Sequence, residues 1–374
     1  MKKKVVLSIF FILISFLQNS CGSKRISKKI IVASSGKIES LDPARANTLK
    51  AIQLISSLGD TLYELNSDGE LIPELASGMP ILSKDRLQIT INLRKNVFFH
   101  DGTAFNSNAM KFTFDRFKRI GTMNYILGNK IKSIETPSEY SVKINLNKPS
   151  SSLNGLLTSV NLTPISPTFY KQYSDKFLNE KFVGTGKYVL TSFSNEVQSI
   201  DPYLNYWGEK PLNNGVNFVG YSNSSSLFGA LKSKQIDVLL SNSIDDSQRK
   251  SLNDLSKNKQ FNEGNSPFTE LSFISLKTSS YPLSNLNLRL ALAKSLNRKL
   301  ISEKVSYGLR KPSRSIIPPI LKKDNQELWP KYDYLEARRL LQKENYCNGN
   351  ILKIPLTYRS VSYTHLTLPT KRIV

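Results

Sequence analysis

Cysteine and histidine are scarce in this sequence of 374 residues. It holds two cysteines, Cys21 and Cys347, and two histidines, His100 and His365. So few thiols exclude a disulfide framework and a zinc site built from several cysteines. So few imidazoles leave little material for histidine-based catalysis or for a metal site. Cys347 follows a predicted helix, and we interpret it as an incidental thiol in a turn.

The chain is also poor in acidic residues and in long apolar runs. Apolar residues make up 39% of it, which is too many for a disordered protein and too few for a multi-pass membrane protein. Lysine and arginine number 52 against 29 aspartates and glutamates. These basic residues are scattered, whereas a nucleic-acid site needs them clustered. We therefore expect a diffusely basic surface, as an A/T-rich coding sequence would give, and no nucleic-acid partner.

The amino terminus has the pattern of a bacterial export signal. Lysines at 2–4 precede an apolar run over 5–17, which is shorter than the roughly 20 residues of a membrane span. Cys21 then stands between small residues, an arrangement similar to a lipobox, in which the cysteine becomes the lipidated first residue. We predict a signal peptide over residues 1–21, cut either at such a lipobox or by ordinary secretory cleavage, and a short basic tether over 22–30.

The last residues look foreign to the rest of the chain. Val361-Ser362-Tyr363-Thr364-His365-Leu366 is the peptide that a common transposase sequencing adapter encodes in one reading frame. We therefore expect residues 361–374 to be a non-native tail, in which His365 has no meaning. The alternative is a genuine strand from Tyr363 to Leu368.

Hydrophobic periodicity predicts a mixture of strands and helices. Alternation of apolar and polar side chains is typical of half-buried strands, and apolar residues on one face are typical of helices. The predicted elements are strands over 87–93 and 142–146, a helix capped by Asn106 or Ser107, a helix from Asn287 through Leu300, a helix from Tyr334 to Glu344, and a strand entered by the glycine turn at 183–188. This mixture predicts an α/β fold with several sheets.

No set of residues in the sequence carries a recognisable catalytic mechanism. His100 and Asp101 are able to form a base and its partner, but no nucleophile with elbow glycines accompanies them. We interpret His100 as a strand-end residue before a tight Asp-Gly turn. The glycines at 184 and 186 lack the Lys-Ser/Thr helix of a phosphate loop. We expect no catalytic residue, metal or cofactor, and this favours a binding function for an exported α/β protein.

Short blocks spread over residues 31–358 occur in a characteristic order. They include Ser40-Leu41-Asp42-Pro43, Leu71-Ile72-Pro73-Glu74-Leu75-Ala76, Phe99-His100-Asp101-Gly102-Thr103, Val183-Gly184-Thr185-Gly186 and Asn205-Tyr206-Trp207-Gly208. In this order the blocks resemble the family 5 extracellular solute-binding proteins, the peptide and nickel receptors of bacterial ABC importers. Asn285 and Asn297 stand where the family has aspartate, and we expect these changes to affect helix capping or the surface rather than a binding site.

The resemblance implies a two-lobed α/β fold of the periplasmic-binding-protein type, in the class of the large peptide binders (type II). On this mapping lobe I comprises residues 31–59 and 180–269, and an inserted subdomain covers 60–179. Lobe II begins at residue 270 and runs to 360. Family members are longer than this chain, so we expect a carboxyl-terminal truncation that leaves the second lobe incomplete.

The resemblance also implies a function. Family members close their lobes over a ligand in the cleft between them and deliver it to permease subunits in the membrane. We expect this chain to be the peptide-binding component of an ABC importer, a monomer in the periplasm or cell envelope with a lipid anchor on Cys21. A nickel or metal-chelate receptor of the same fold, an exported hydrolase and a basic surface-adhesion lipoprotein are the alternatives.

Several residues fall where peptide receptors of the family contact the ligand. Asn47 and Leu49 lie in the loop after the first strand, and Tyr125 reaches the cleft from the inserted subdomain. Phe268 and Phe273 lie on the strands that cross between the lobes, where the peptide receptors have tyrosines. Ordinary packing is the alternative role for each residue.

Overall fold

The computed structural model describes most of the chain between residues 29 and 355. The described residues are 29–66, 68–127, 130–150, 155, 157–173, 176–240, 243–264, 271–317, 329–347 and 349–355. The predicted export signal with Cys21, the predicted tail and Phe268 lie outside the described residues. Within those ranges, no helix has both the length and the hydrophobicity that crossing a bilayer requires.

Strands and helices alternate along the described chain. In chain order they are β1 (Ile30–Ser35), α1 (Leu49–Leu58), β2 (Tyr63–Leu65), β3 (Leu71–Pro73), β4 (Ile81–Leu82), β5 (Gln88–Asn92), α2 (Ser107–Ile120), α3 (Asn124–Leu127), β6 (Ile131–Ser138), β7 (Ser141–Leu146), α4 (Pro167–Tyr170), β8 (Tyr188–Phe193), β9 (Val197–Pro202), β10 (Val216–Tyr221), α5 (Ser224–Lys232), β11 (Val238–Leu239), α6 (Asp246–Lys257), α7 (Leu286–Ser295), α8 (Arg298–Ser306) and α9 (Tyr334–Lys343). Short 3₁₀ turns cover Val160–Leu162 and Lys171–Tyr173.

A five-stranded sheet with helices on both faces forms one part of the fold. Its strand order is β11-β1-β10-β9-β8, and β1 runs parallel to both β10 and β11. On one face Leu54 and Ile55 of α1 share a core with Val32 of β1. On the other face Leu227 of α5 packs with Ala33 of the same strand. The alternation of β1 side chains between two helical layers confirms the predicted α/β class.

A separate four-stranded antiparallel sheet has the order β4-β5-β7-β6. Ile91 of β5 and Val142 of β7 lie opposite each other and are buried under α2 together with Phe114. These two strands confirm the alternation predicted for 87–93 and 142–146. The hairpin of β2 and β3 joins the same core through Tyr63. The domain boundaries expected from the sequence stay a prediction.

Two predicted helices begin after a residue whose side chain caps them, and Asn106 is one of the two residues expected to do so. The Asn106 side chain accepts hydrogen bonds from the N–H groups of Asn108 and Ala109, and α2 begins after it. Asp333 caps α9 in the same way, so both predicted helices are confirmed. The N-cap side chains use backbone donors that have no partner inside the helix.

The helix predicted from Asn287 through Leu300 is wrong in its extent. α7 ends at Ser295, Leu296 is extended, and the Asn297 side chain accepts from the Leu300 N–H to start α8. Asparagine is more favourable at the start of a helix than in its interior, so a new helix begins after Asn297. The leucines at every fourth residue therefore belong to two helices. Asn285 caps α7, which confirms that both asparagines act as caps.

Candidate functional site

The carboxyl ends of the parallel strands meet at one edge of the five-stranded sheet. β1 ends at Ser35, β10 at Tyr221 and β11 at Leu239. The Gly36 N–H donates to the Tyr221 carbonyl over 2.7 Å and so joins two of these strand ends. In open α/β sheets ligands bind outside the carboxyl ends of the strands. This edge, which we call the carboxyl edge, is therefore the candidate site.

A shallow depression lies at the carboxyl edge. Its lining includes Gly36, Lys50, Gln53, Glu196 and Gly220. Its cavity volume is about 10 Å³, roughly the room that one water molecule needs. The depression is thus too small to enclose a peptide, and a ligand here needs a second wall.

Gly36 and Lys50 are in close contact in this depression. Gly36 has a φ of 77°, which favours glycine, and a methyl group on it would lie 2.6 Å from Lys50 Nζ. The Oε1 atom of Gln53, one turn further along α1, is buried and has no hydrogen-bond partner among the residues that the structure describes. The site therefore combines an ammonium group with a free amide oxygen.

A buried ion pair holds the loop that leads from β1 to α1. Arg116 of α2 donates to Asp42 Oδ1 over 2.8 Å and to Oδ2 over 2.6 Å, and both side chains are almost fully buried. The same carboxylate accepts from the N–H groups of Ala44 and Leu178 at 3.0 and 2.9 Å. Because one carboxylate accepts from four donors, the start of the loop is fixed to α2, the helix that packs on the four-stranded sheet.

The rest of the loop is attached to two further segments. The Asn161 amide donates to the carbonyls of Pro43 and Ala46 over 2.7 and 2.8 Å. The Ala44 carbonyl accepts from the Thr122 N–H over 2.9 Å. Since Thr122 comes just before α3, this contact brings the start of α3 beside the loop.

The structure thus places three of the expected ligand-contacting residues on connected segments. Asn47 is exposed at the end of the fixed loop, and Leu49 is the first residue of α1, next to Lys50. Tyr125 lies on α3. Leu49 and Tyr125 are 51% and 71% exposed, so both side chains are accessible to a ligand. Their role in ligand binding stays a prediction.

The structure says less about the two other residues that were expected to contact the ligand, Phe268 and Phe273. Phe273 is 63% exposed in an irregular segment after residue 270, and Phe268 lies outside the described residues. Exposed Cys347 has a φ of 87° just after α9, in agreement with the interpretation as a turn thiol. Within the described ranges no three His, Cys, Asp or Glu side chains are grouped to hold a metal.

His100 lies away from the carboxyl edge. Its N–H donates to the Gly184 carbonyl over 2.9 Å, and its Nε2 is 3.0 Å from the Gly186 carbonyl oxygen. Its ring contacts Tyr203 edge-on at 5.0 Å between centroids. Burial lowers the pKa of His100, so the neutral ring donates from Nε2. These contacts agree with a structural histidine at a strand end.

Sequence reasoning missed Lys50, Gln53 and Gly36 as members of the site. The available signal was a strand of apolar and small residues that ends at a glycine, since a parallel strand often presents its carboxyl end to a ligand. Without knowledge that β1 pairs with β10 and β11, the signal is too weak to use.

The comparisons with known proteins agree with this architecture. A family profile described as "Bacterial extracellular solute-binding proteins, family 5 Middle" matches residues 70–370. The glutathione-binding proteins GsiB of Escherichia coli O6:K15:H31 (strain 536 / UPEC) and of Salmonella typhi are each 27% identical to this chain over 328 residues. These alignments cover 86% of this chain and 62% of the relatives. The chain therefore spans less than two thirds of the length of these curated relatives.

Solved structures show the same fold. NikA from Brucella suis in complex with Fe(III)-EDTA has a TM-score of 0.72 at 24% identity, over 84% of this chain and 64% of that one. The periplasmic binding protein DppA from Helicobacter pylori in complex with peptide STSA has a TM-score of 0.69 at 24% identity, over 86% and 66% of the two chains. These similarities confirm the predicted periplasmic-binding-protein architecture.

Proposed function

Since this chain belongs to the family 5 bacterial extracellular solute-binding proteins, we propose that it is the ligand-binding component of an ABC importer and that its ligand is a peptide. The match to the family profile over 70–370 is the observation that carries this proposal. The relatives named for glutathione and the DppA complex with a peptide support the ligand class. The chain binds its ligand and does not convert it.

The exposed side chains of Leu49 and Tyr125 support a peptide ligand. Leu49 and Tyr125 offer apolar surface, while Asn47 and Lys50 offer a polar and a charged group beside it. A peptide has the same mixture, with a polar main chain and variable side chains. Extended peptides are commonly bound through main-chain hydrogen bonds, with pockets for alternate side chains.

Binding requires a second wall, and closure of two lobes supplies it. The depression at the carboxyl edge holds about one water molecule, so this wall buries little of a peptide. Phe273, which is exposed beyond residue 270, is a candidate for the opposite wall. A ligand that touches both walls stabilises the closed form by the contacts that exist only there. The closed form then delivers the peptide to the permease subunits.

Export and anchoring complete the proposal. The signal peptide over 1–21 takes the protein out of the cytoplasm, and a lipid on Cys21 holds it at the membrane as a monomer beside the permease. The basic tether over 22–30 suits an anionic membrane surface. Metabolic labelling with a fatty acid tests the anchor, and a Cys21→Ala variant that keeps the label would contradict it.

Titration calorimetry on the full-length natural protein tests the ligand class. We expect saturable binding to a peptide pool with micromolar affinity, which corresponds to about −8 kcal/mol. Glutathione and a nickel–histidine chelate are the comparison ligands. Preference for the chelate favours the metal-chelate receptor, turnover of the peptides favours the hydrolase, and absence of all binding favours the adhesion lipoprotein.

Two substitutions test the site itself. Leu49→Ala and Tyr125→Ala should each weaken peptide binding about tenfold, or about 1.4 kcal/mol, because each removes exposed apolar surface that the ligand covers. Leu212→Ala is the matched control, since Leu212 is fully exposed in the loop before β10, at the opposite edge of the sheet. Equal affinities of all three variants and the parent would contradict the placement of the site.

A further inference from the structure

The chain passes between its two larger sheets at two neighbouring places. It leaves the five-stranded sheet after α1, at Leu58–Asp60, and re-enters it through the glycine turn at 183–187 before β8. The Gly186 N–H donates to the Leu58 carbonyl over 3.0 Å. A methyl group on Gly186 would lie 2.4 Å from the Leu58 carbonyl carbon. The two segments therefore pack backbone against backbone, and we call them together the crossover junction.

Asp60 is buried in the crossover junction and accepts three side-chain hydrogen bonds. Thr185 Oγ1 and Trp207 Nε1 each donate to its Oδ2 over 2.9 Å, and the Tyr206 hydroxyl donates to its Oδ1 over 3.1 Å. Burial raises the pKa of Asp60, while these donors and the Lys187 charge oppose that effect. Because donors surround both oxygens, we assign the negative charge of the junction to Asp60.

Glu74 of the loop after β3 lies beside this anion, and its contacts call for a proton. Its Oε2 accepts from the Thr61 N–H over 2.9 Å and lies 3.1 Å from Thr61 Oγ1. That hydroxyl is also 2.8 Å from the Tyr63 carbonyl oxygen. A hydroxyl has one proton to donate. The Tyr63 carbonyl oxygen only accepts, so the Thr61 hydroxyl donates its one proton to it. A proton between Thr61 and Glu74 therefore belongs to Glu74.

Electrostatics agree with this assignment. Burial, and then the charges of Asp60 and Glu64, raise the pKa of Glu74 to about 8, although the hydrogen bonds with Thr61 act in the opposite direction. Arg94 is a neighbouring cation, whose Nε donates to the Glu74 carbonyl over 2.9 Å and whose guanidinium lies over the Trp207 ring. The cation is thus bound to the backbone and the indole ring rather than to the Glu74 carboxyl group.

Two other titratable groups near the junction are neutral at mildly alkaline pH. Burial raises the pKa of Tyr206, which stays neutral. Burial lowers the pKa of His100, which is neutral as well. Asp101 next to it is held by Thr103 and Ser166. Glu74 is therefore the group facing Asp60 that changes charge when the pH rises above neutral.

We propose that the crossover junction is a one-proton lock, in which protonated Glu74 beside ionised Asp60 holds the two sheets together and loss of its proton loosens the attachment. Deprotonation places a second negative charge next to the first inside the protein, and it removes the hydrogen bond that Glu74 donates to Thr61. A buried pair of like charges is destabilising. The lock is independent of the ligand that the protein carries.

Trp207 is a built-in reporter because it donates directly to Asp60. The chain has two tryptophans, so a Trp329→Phe background leaves Trp207 as the only source of indole fluorescence. Because the folded pKa is above the unfolded one, stability is lost as the pH rises. We expect the folding equilibrium constant, measured by urea denaturation, to fall about tenfold between pH 7 and pH 9.

Glu74→Gln tests the proton directly, since glutamine has the shape of the protonated acid and does not titrate. In this variant we expect the folding constant to change less than about twofold over the same range. Glu64→Gln is the control, because exposed Glu64 is on the same hairpin, and this variant should keep most of the parent's fall. The proposal would be overturned if the folding constant of the parent did not change between pH 7 and pH 9, or if it fell equally in Glu74→Gln.

A second measurement decides the matter if Glu74→Gln fails to fold. In the folded Trp329→Phe protein, the emission of Trp207 should titrate with a midpoint near pH 8. Emission that stays constant from pH 6.5 to pH 9 would overturn the lock without any variant at Glu74.

Discussion

At the scale of single residues, the buried pair of Asp42 and Arg116 determines the geometry of the candidate site. The two residues are 74 positions apart in the chain. Asp42 lies at the start of the loop that leads to Asn47 and Leu49. Arg116 lies on α2, which packs on the four-stranded sheet. Because the pair is bidentate and buried, it fixes the loop in orientation as well as position.

Arg116→Met should be strongly destabilising. It leaves Asp42 buried without its cation, and we expect the free energy of unfolding, measured by urea denaturation, to fall by about 3–5 kcal/mol. Lys111→Met is the control, since it breaks the exposed pair of Lys111 with Asp115 on the same helix and should cost at most about 0.5 kcal/mol. Losses of similar size in the two variants would show that burial of the pair is unimportant.

At the scale of elements, close backbone contact explains the glycine turn before β8. Gly186 packs on the end of α1, and its missing side chain is what allows the contact. The glycines at 184 and 186 therefore serve packing between two segments.

Two glycine substitutions should have opposite effects. Gly186→Ala places a methyl group 2.5 Å from the Gly59 nitrogen, and we expect a loss of about 1–3 kcal/mol from overpacking. Gly229→Ala lies within α5, where nothing is within 4 Å of the new methyl group, and should gain about 0.5–1 kcal/mol of stability. Thermal denaturation measures both, and a stabilising Gly186→Ala would contradict the packing.

At the scale of the whole molecule, apolar exposure is concentrated after residue 270. Of the residues of α8, only Ser306 is buried, and Leu300 and Val305 are each 47% exposed. Exposed apolar side chains that are close together in the chain favour association when they form one patch. The five-stranded and four-stranded sheets, in contrast, each have a continuous core.

Residues 24–360, expressed alone, should therefore be poorly soluble and should bind no peptide tightly. Leu300→Ser combined with Val305→Ser should raise the monomer fraction in size-exclusion chromatography, because it removes exposed apolar surface. Leu212→Ser, a single exposed leucine outside this region, is the control and should change little. A monomeric fragment with cooperative unfolding and micromolar affinity would refute this expectation.

Much of the local structure followed from the sequence, and the reason is the short range of the forces concerned. Strand alternation at β5 and β7 reflects burial of one face, and the cap at Asn106 satisfies donors within one helical turn. The ordered blocks were enough to identify the fold and the family. The leucine spacing across α7 and α8 led to the wrong prediction of one continuous helix. The apolar period continues through the break between them, where Asn297 caps α8.

The sequence alone determined the elements, the α/β class and the absence of a recognisable catalytic motif. Only the tertiary structure brought Gly36, Lys50 and Gly220 together at the carboxyl edge, and only it placed half-buried Glu74 close to buried Asp60. A site of this kind depends on contacts between residues far apart in the chain. A buried carboxyl group changes its affinity for a proton because water is excluded around it, and that exclusion exists only once the sheets have packed.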